Sequence, residues 1–209
     1  SFYVQQAEHS GYKIIGVDPA AGGDNSAIVL KSGNLQEILF NQKLQNTMDL
    51  VGVIMEKYRS SQADFIVVDK TGIGQGVYDR LREMGYACRG VSFGEKSEDE
   101  QFGNLKAEWH WRQRKWLLSG GRLLHNYGWN VFELVKYKNK DGKIIIQPKE
   151  DLFREGLASP NCVDAAVLTM AITDNSIKGQ RIIKANRGKG FYDATTDIWE
   201  DRRSIDKFL

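Results

Sequence analysis

Apolar and polar positions along the first half of the chain mark strands and helices in a definite order. Residues 13–17 form a short apolar run that ends on a carboxylate, Asp18, where Pro19 withholds a ladder donor and Gly22-Gly23 lets the chain reverse. Residues 26–31 return as a second strand, Ser32-Gly33-Asn34 turns again, and 35–42 read as a third, an antiparallel meander. Asn46 or Thr47 then caps a helix in which Met48, Val51, Ile54, Met55 and Tyr58 recur at helical spacing. Residues 63–69 read as the next strand, apolar from Phe65 up to Asp69, the pattern of a central strand covered on both faces. Gly72 to Gly76 open a helix that runs through Met84 and closes at Gly85, and 86–91 are a further strand.

The second half is less regular. Residues 92–101 are a polar, acidic loop, which would repel DNA and is expected to face away from it or to gate it. Residues 104–118 carry a helical pattern (Leu105, Trp109, Trp116) stopped by Gly120-Gly121. Between 134 and 147, Lys140-Asp141-Gly142 is a hairpin turn joining two strands. Pro160 begins a helix that the pattern extends to residue 175, with Ser159 as its cap. Residues 1–11 read as a lead-in or the remnant of an interdomain linker, 12–175 as one domain, and 176–209 as a polar C-terminal tail. The order predicts an α/β fold: a mixed sheet flanked by helices, with an added β-hairpin. Three antiparallel strands, then helix crossovers, with carboxylates ending the first and fourth strands, resemble the ribonuclease H-like fold. In that fold those two strands are neighbours, so Asp18 and Asp69 meet at one edge, and a late helix brings a third carboxylate.

Composition changes this picture little. At 209 residues, 41% hydrophobic and 27% charged, the chain can bury one sizeable core, and a net charge of +2 does not by itself call for a nucleic-acid partner. Cys88 and Cys162 match no zinc spacing and fit a reducing compartment. No window has the apolar length of a membrane span and no signal-peptide pattern opens the chain. A soluble, intracellular protein is expected, and the missing initiator Met suggests an excised domain or a processed chain.

The candidate chemistry lies in Asp18, Asp69 and Asp164. Taken singly, each is accounted for as a strand-end or cap residue. Two at the ends of apolar strands and a third inside an apolar helix point instead to oxygen ligands for a hard divalent cation, Mg²⁺ or Mn²⁺. Two such ions can activate a water and stabilise the leaving oxygen of a phosphodiester, Asp18 bridging both, Asp69 holding one and Asp164 the other.

The segments GVDPAAGGDNSAI, VVDKTGIGQGVYDRL and KEDLFREGLASPNCVDAAVLTMA are similar to the nuclease domain of the large terminase subunit of tailed double-stranded DNA phages. The resemblance spans residues 13–173, with three motifs in the family's order. It implies an endonuclease that cuts concatemeric viral DNA during packaging, in the host cell cytoplasm, with metal at Asp18, Asp69 and Asp164. It also implies a catalytic lysine at Lys149, for which an ordinary surface lysine is the alternative. The implied partners are double-stranded DNA, a terminase ATPase domain, a small terminase subunit and the portal protein, the last through the tail. No G-x-x-x-x-G-K-S/T loop occurs, so the ATPase is not expected in this chain.

Other residues admit plainer readings. Gly72, Gly74 and Gly76 depart from dinucleotide-binding spacing and either make a turn or let backbone approach a phosphate. Asp24 reads as a turn residue before a supporting carboxylate, and most of Trp109, Trp111, Trp116 and Trp129 as core. His110 and His125 have no partner at metal-ligand spacing. Lys136, Lys138, Lys140 and Lys143 on the hairpin form a basic ribbon able to lie along a DNA groove. The competing functions are a Holliday-junction resolvase-like nuclease, an RNA–DNA hybrid hydrolase, or a non-catalytic binding or docking module of the same fold.

Overall fold

The structure is a computed structural model that describes residues 2–6, 8–20, 23–156 and 159–172. The expected tail at 176–209, the end of the last expected helix and the Gly22 half of the first turn lie outside the described residues.

A seven-stranded mixed sheet forms the frame. Strands β2 (Lys13–Asp18), β3 (Ser26–Ser32) and β4 (Leu35–Gln42) make the expected antiparallel meander, with a register shift between Ile28 and Val29. After helix α1 (Thr47–Ser61), β5 (Phe65–Asp69) pairs parallel with β2. Helix α2 (Gly74–Glu83) then leads to β6 (Cys88–Val91), parallel to β5 at the sheet edge. Asn46 caps α1 by accepting from the Asp49 amide.

Alternation along the strands decides which face receives each side chain. In β2, Ile15 and Val17 pack with Leu50, Ile54, Val77 and Leu81 under α1 and α2, while Ile14 joins the opposite cluster with Val163 and Val167. Gly16 and Asp18 share the parity of Ile14 and so lie on that opposite face. In β5, Ile66 and Val68 face α1 and α2, and Phe65 and Val67 face the other way, with Asp69 in the same parity. The register pairs Val17 with Val68, which sets Asp18 and Asp69 side by side at the carboxyl ends of adjacent parallel strands.

The opposite face is covered by α3 (Leu105–Leu118) and α5 (Asn161–Leu168), and all eight residues of α5 are buried. A Cβ on Gly16 would lie 2.0 Å from the Ala165 carbonyl oxygen, so only glycine allows α5 to lie this close to β2. That contact fixes the height of Asp164, the residue before Ala165.

Several expectations need correction. The lead-in contains a short strand, β1 (Tyr3–Val4), parallel to an unforeseen strand β7 (Arg122–Leu124), which pairs in turn with β4. Three residues are too few to show a period. A 3₁₀ segment follows at Tyr127–Leu134 and buries Trp129. The hairpin forms as β8 (Tyr137–Lys140) and β9 (Lys143–Ile146), turning through Asp141 and Gly142 at φ of 51° and 76°. A short helix, α4 (Lys149–Arg154), was also unforeseen. Ser159 does not cap α5: Pro160 holds that position, and the Ser159 hydroxyl bonds the Asn161 side chain instead. The helix ends at Leu168 and passes into a 3₁₀ turn, Thr169–Ala171. Among the described residues no helix is long and apolar enough to cross a membrane.

Candidate active site

Asp18 and Asp164 are 6% and 0% exposed, set among apolar side chains. Burying an aliphatic side chain gains roughly 1.5–3 kcal/mol, and an unpaired buried carboxylate costs more than one such gain returns. Partners are therefore required, and lysines provide them. Lys149, first residue of α4, places its Nζ 3.0 Å from Asp164 Oδ2 and 3.4 Å from Asp18 Oδ2. Lys106, in the first turn of α3, places its Nζ 3.0 Å from Asp164 Oδ1 and 3.1 Å from Oδ2. Asp69 stands at the rim, where its Oδ1 accepts the Thr71 amide at 2.9 Å. A Cβ on Gly74 would lie 1.8 Å from the Asp69 carbonyl oxygen, so the start of α2 is tucked against this strand end.

The two buried carboxylates settle their repulsion in opposite ways. Burial pushes Asp18 up to about 7, with Asp164 and Asp69 adding to the rise and Lys149 opposing it. Burial would raise Asp164 too, but Lys106, then His110 and Lys149, outweigh it and hold this carboxyl far below the usual range. Asp164 is thus the member that stays ionised, and Asp18 the one that takes up a proton first. Burial pulls Lys149 down, but the two aspartates more than reverse this and raise it.

The sequence reading brings Asp18, Asp69, Asp164 and Lys149 to one place, and it missed two neighbours. Lys106 and His110 are one turn apart on α3 and share a face. The His110 Nε2 lies 3.6 Å from Asp164 Oδ1, beyond hydrogen-bond reach, and is buried without a hydrogen-bond partner among the described residues. Burial lowers the His110 pKa in spite of Asp164. The contact depends on how α3 packs on α5, which no local pattern encodes. Asp24 also does more than turn the chain. Its Oδ1 accepts from Asn161 Nδ2 at 2.8 Å, and Asn161 Oδ1 lies 3.4 Å from Lys149 Nζ, so Asp24 reaches the lysine through Asn161.

The hairpin stands apart as a two-stranded sheet. Two of its four lysines are engaged by carboxylates, Lys138 with Asp151 at 2.7 Å and Lys136 with Glu155 at 3.6 Å. Lys140 and Lys143 have no such partner among the described residues. Trp109 and Trp129 are core, as expected, whereas Trp111 stacks edge-on with the exposed Tyr137 of the hairpin. In the acidic loop, Glu95 pairs with Lys70, next to Asp69, at 3.6 Å, and Ser97 bonds the buried Glu108.

The donor set suits a hard divalent cation in kind: oxygen ligands, one of them a buried carboxylate whose Oδ1 receives no well-aligned hydrogen bond. No three His, Cys, Asp or Glu residues among those described form a ready-made metal cluster. The lysine ammoniums lie against the oxygens that a cation would need, so binding is an exchange of one positive partner for another.

No protein-family model and no curated protein matches the sequence. Solved structures do match. The nuclease domain of the large terminase subunit gp2 of bacterial virus Sf6 superposes with a TM-score of 0.68 at 16% identity, over 79% of this chain and 90% of that domain. A mutant of the same domain with manganese and beta-thujaplicinol gives 0.68 at 15% identity, with the same coverage. The large terminase nuclease of thermophilic phage G20c with bound magnesium gives 0.59 at 15% identity, over 79% of this chain and 82% of that one. Other structures of that nuclease contain cobalt or zinc. The chain has the ribonuclease H-like fold of phage large terminase nuclease domains.

Proposed function

We propose that this chain is a metal-dependent endonuclease domain that hydrolyses double-stranded DNA, cutting viral concatemers during genome packaging with little sequence preference. The observation that carries the reading is the placement of Asp18 and Asp69 at adjacent strand ends, with the buried, ionised Asp164 facing Asp18 from α5. The Mg²⁺ or Mn²⁺ that suits such donors, as two ions, supplies an activated water and stabilises the leaving oxygen of a phosphodiester. On this reading Asp18, Asp69 and Asp164 are the residues that would hold the ions. Lys149, held between Asp18 and Asp164 and anchored through Asn161 to Asp24, carries the positive charge that a scissile phosphate needs beside it. Lys140 and Lys143, and less so Lys136 and Lys138, bind the phosphate backbone. The domain works in the host cytoplasm with a terminase ATPase domain, a small terminase subunit and the portal.

The test is cleavage of supercoiled plasmid with Mn²⁺ or Mg²⁺, with EDTA and the Asp18→Asn protein as controls. Metal-dependent loss of the supercoiled form by the wild type alone is the expected result. Equal cleavage by both proteins contradicts the site assignment, and cutting confined to branched junctions points to a resolvase instead. No cleavage together with no metal binding sensitive to Asp18→Asn favours the non-catalytic docking module, whereas no cleavage with saturable metal binding points to a domain that needs its ATPase half to engage DNA.

A further inference from the structure

Asp164 has two cationic partners that reach it from different elements. Lys149 comes from α4 and also contacts Asp18, so it lies between the two carboxylates. Lys106 comes from α3 and contacts Asp164 alone of the three aspartates, spanning both of its oxygens at 3.0 and 3.1 Å. Contacts on several sides hold Lys106 in place. The Lys106 amide donates to the Phe93 carbonyl at 3.1 Å, its Nζ sits 5.1 Å from the centre of the Phe93 ring, and Asn104 caps the helix two residues earlier. The side chain is only 18% exposed. A carboxylate already bridged by one ammonium and touched by a second gives up part of that pairing to any cation that ligates it. A divalent ion beside an ammonium fixed this close is also repelled by it with little screening from solvent.

We propose that Lys106 is a positioning residue that competes with divalent metal for Asp164. It holds the carboxylate in place between metal-binding events and sets how much metal is needed to fill the site. Lys106 yields Asp164 when metal enters, and takes it back when metal leaves. The inference rests on the metal reading above, because it needs a divalent cation at Asp164.

The test is Mn²⁺ binding by calorimetry and by the metal-induced rise in Tm, on the wild type, Lys106→Met and Lys106→Arg, with Asp18→Asn as the control for site-specific binding. Lys106→Met, which keeps the length of the side chain and removes its charge, is expected to bind Mn²⁺ roughly tenfold more tightly than the wild type. Lys106→Arg is expected to stay near the wild-type value. A purely structural role lowers the Tm of the metal-free variant and does not tighten binding. Unchanged or weaker binding by Lys106→Met therefore overturns the proposal, as does equally tight binding by Lys106→Arg. If Lys106→Met does not fold, the wild type itself decides: Mg²⁺ titration is expected to shift the ammonium resonance assigned to Lys106, and a resonance unmoved at saturating Mg²⁺ overturns the proposal. Wild-type protein with no saturable metal binding sensitive to Asp18→Asn overturns both this inference and the nuclease reading. Saturable wild-type binding with no effect at Lys106 removes the inference alone.

Discussion

At the scale of single residues, Asp18 gives the site a dependence on pH that separates it from ordinary buried carboxylates. Burial raises its folded pKa from 3.8 to about 7. A carboxyl that binds its proton more tightly when folded contributes stability that is complete below the unfolded value and is lost as pH rises through the folded one. His110 works in the opposite sense, because burial lowers its pKa from 6.5 and the unfolded chain takes up that proton first. The readout is therefore a difference. Without metal, the Tm of the wild type minus that of Asp18→Asn should fall between about pH 5 and about pH 8. A difference that stays flat across that range contradicts the assignment. Asp18 and Asp69 could be found in the sequence because each closes an apolar run with a charge. Lys106 and His110 could not, since α3 reads there as an ordinary helix with polar positions, and only its packing on α5 turns these two toward Asp164. Lys149 came from resemblance alone, because a six-residue helix carries too little pattern to mark its first residue.

At the scale of elements, the close approach of α5 to β2 through Gly16 is what brings Asp164 into the site. Gly16→Ala forces a Cβ against the Ala165 carbonyl and should destabilise the fold by about 1–3 kcal/mol, read by denaturant unfolding. The variant should also lose the metal-induced rise in Tm, because α5 must lift and carry Asp164 away from Asp18. Wild-type stability together with a wild-type metal response contradicts this account. The hairpin gives a second prediction. Lys138 is neutralised by Asp151, whereas Lys140 and Lys143 are free of carboxylates among the described residues, so the four lysines are not equivalent. Replacing Lys140 and Lys143 together by Ala should reduce the slope of log K against log salt for duplex DNA by about 2. Lys138→Ala should change it by less than about 1. Equal slopes for all the variants would remove the hairpin as the DNA contact. Periodicity identified this hairpin through its Lys-Asp-Gly turn, but it could not identify the pairing with α4, because α4 itself was not foreseen.

At the scale of the molecule, the central strands of the sheet were readable because each is a long apolar run with a clear stop. The outer strands β1 and β7 were not, having two and three residues whose pairing is decided by tertiary contact. The site occupies the part that was readable, at the carboxyl ends of β2 and β5, where a helix dense in buried residues meets the sheet. The same arrangement places a cluster of like charges in an apolar setting, which two lysines hold together. The most direct test of the central claim is anomalous scattering from a crystal of this domain soaked in Mn²⁺. Manganese density about 2.1 Å from carboxylate oxygens of Asp18, Asp69 and Asp164, with the Lys106 ammonium withdrawn from Asp164, is the predicted result. Manganese bound only elsewhere, with Lys106 and Lys149 still in place on Asp164, would contradict it.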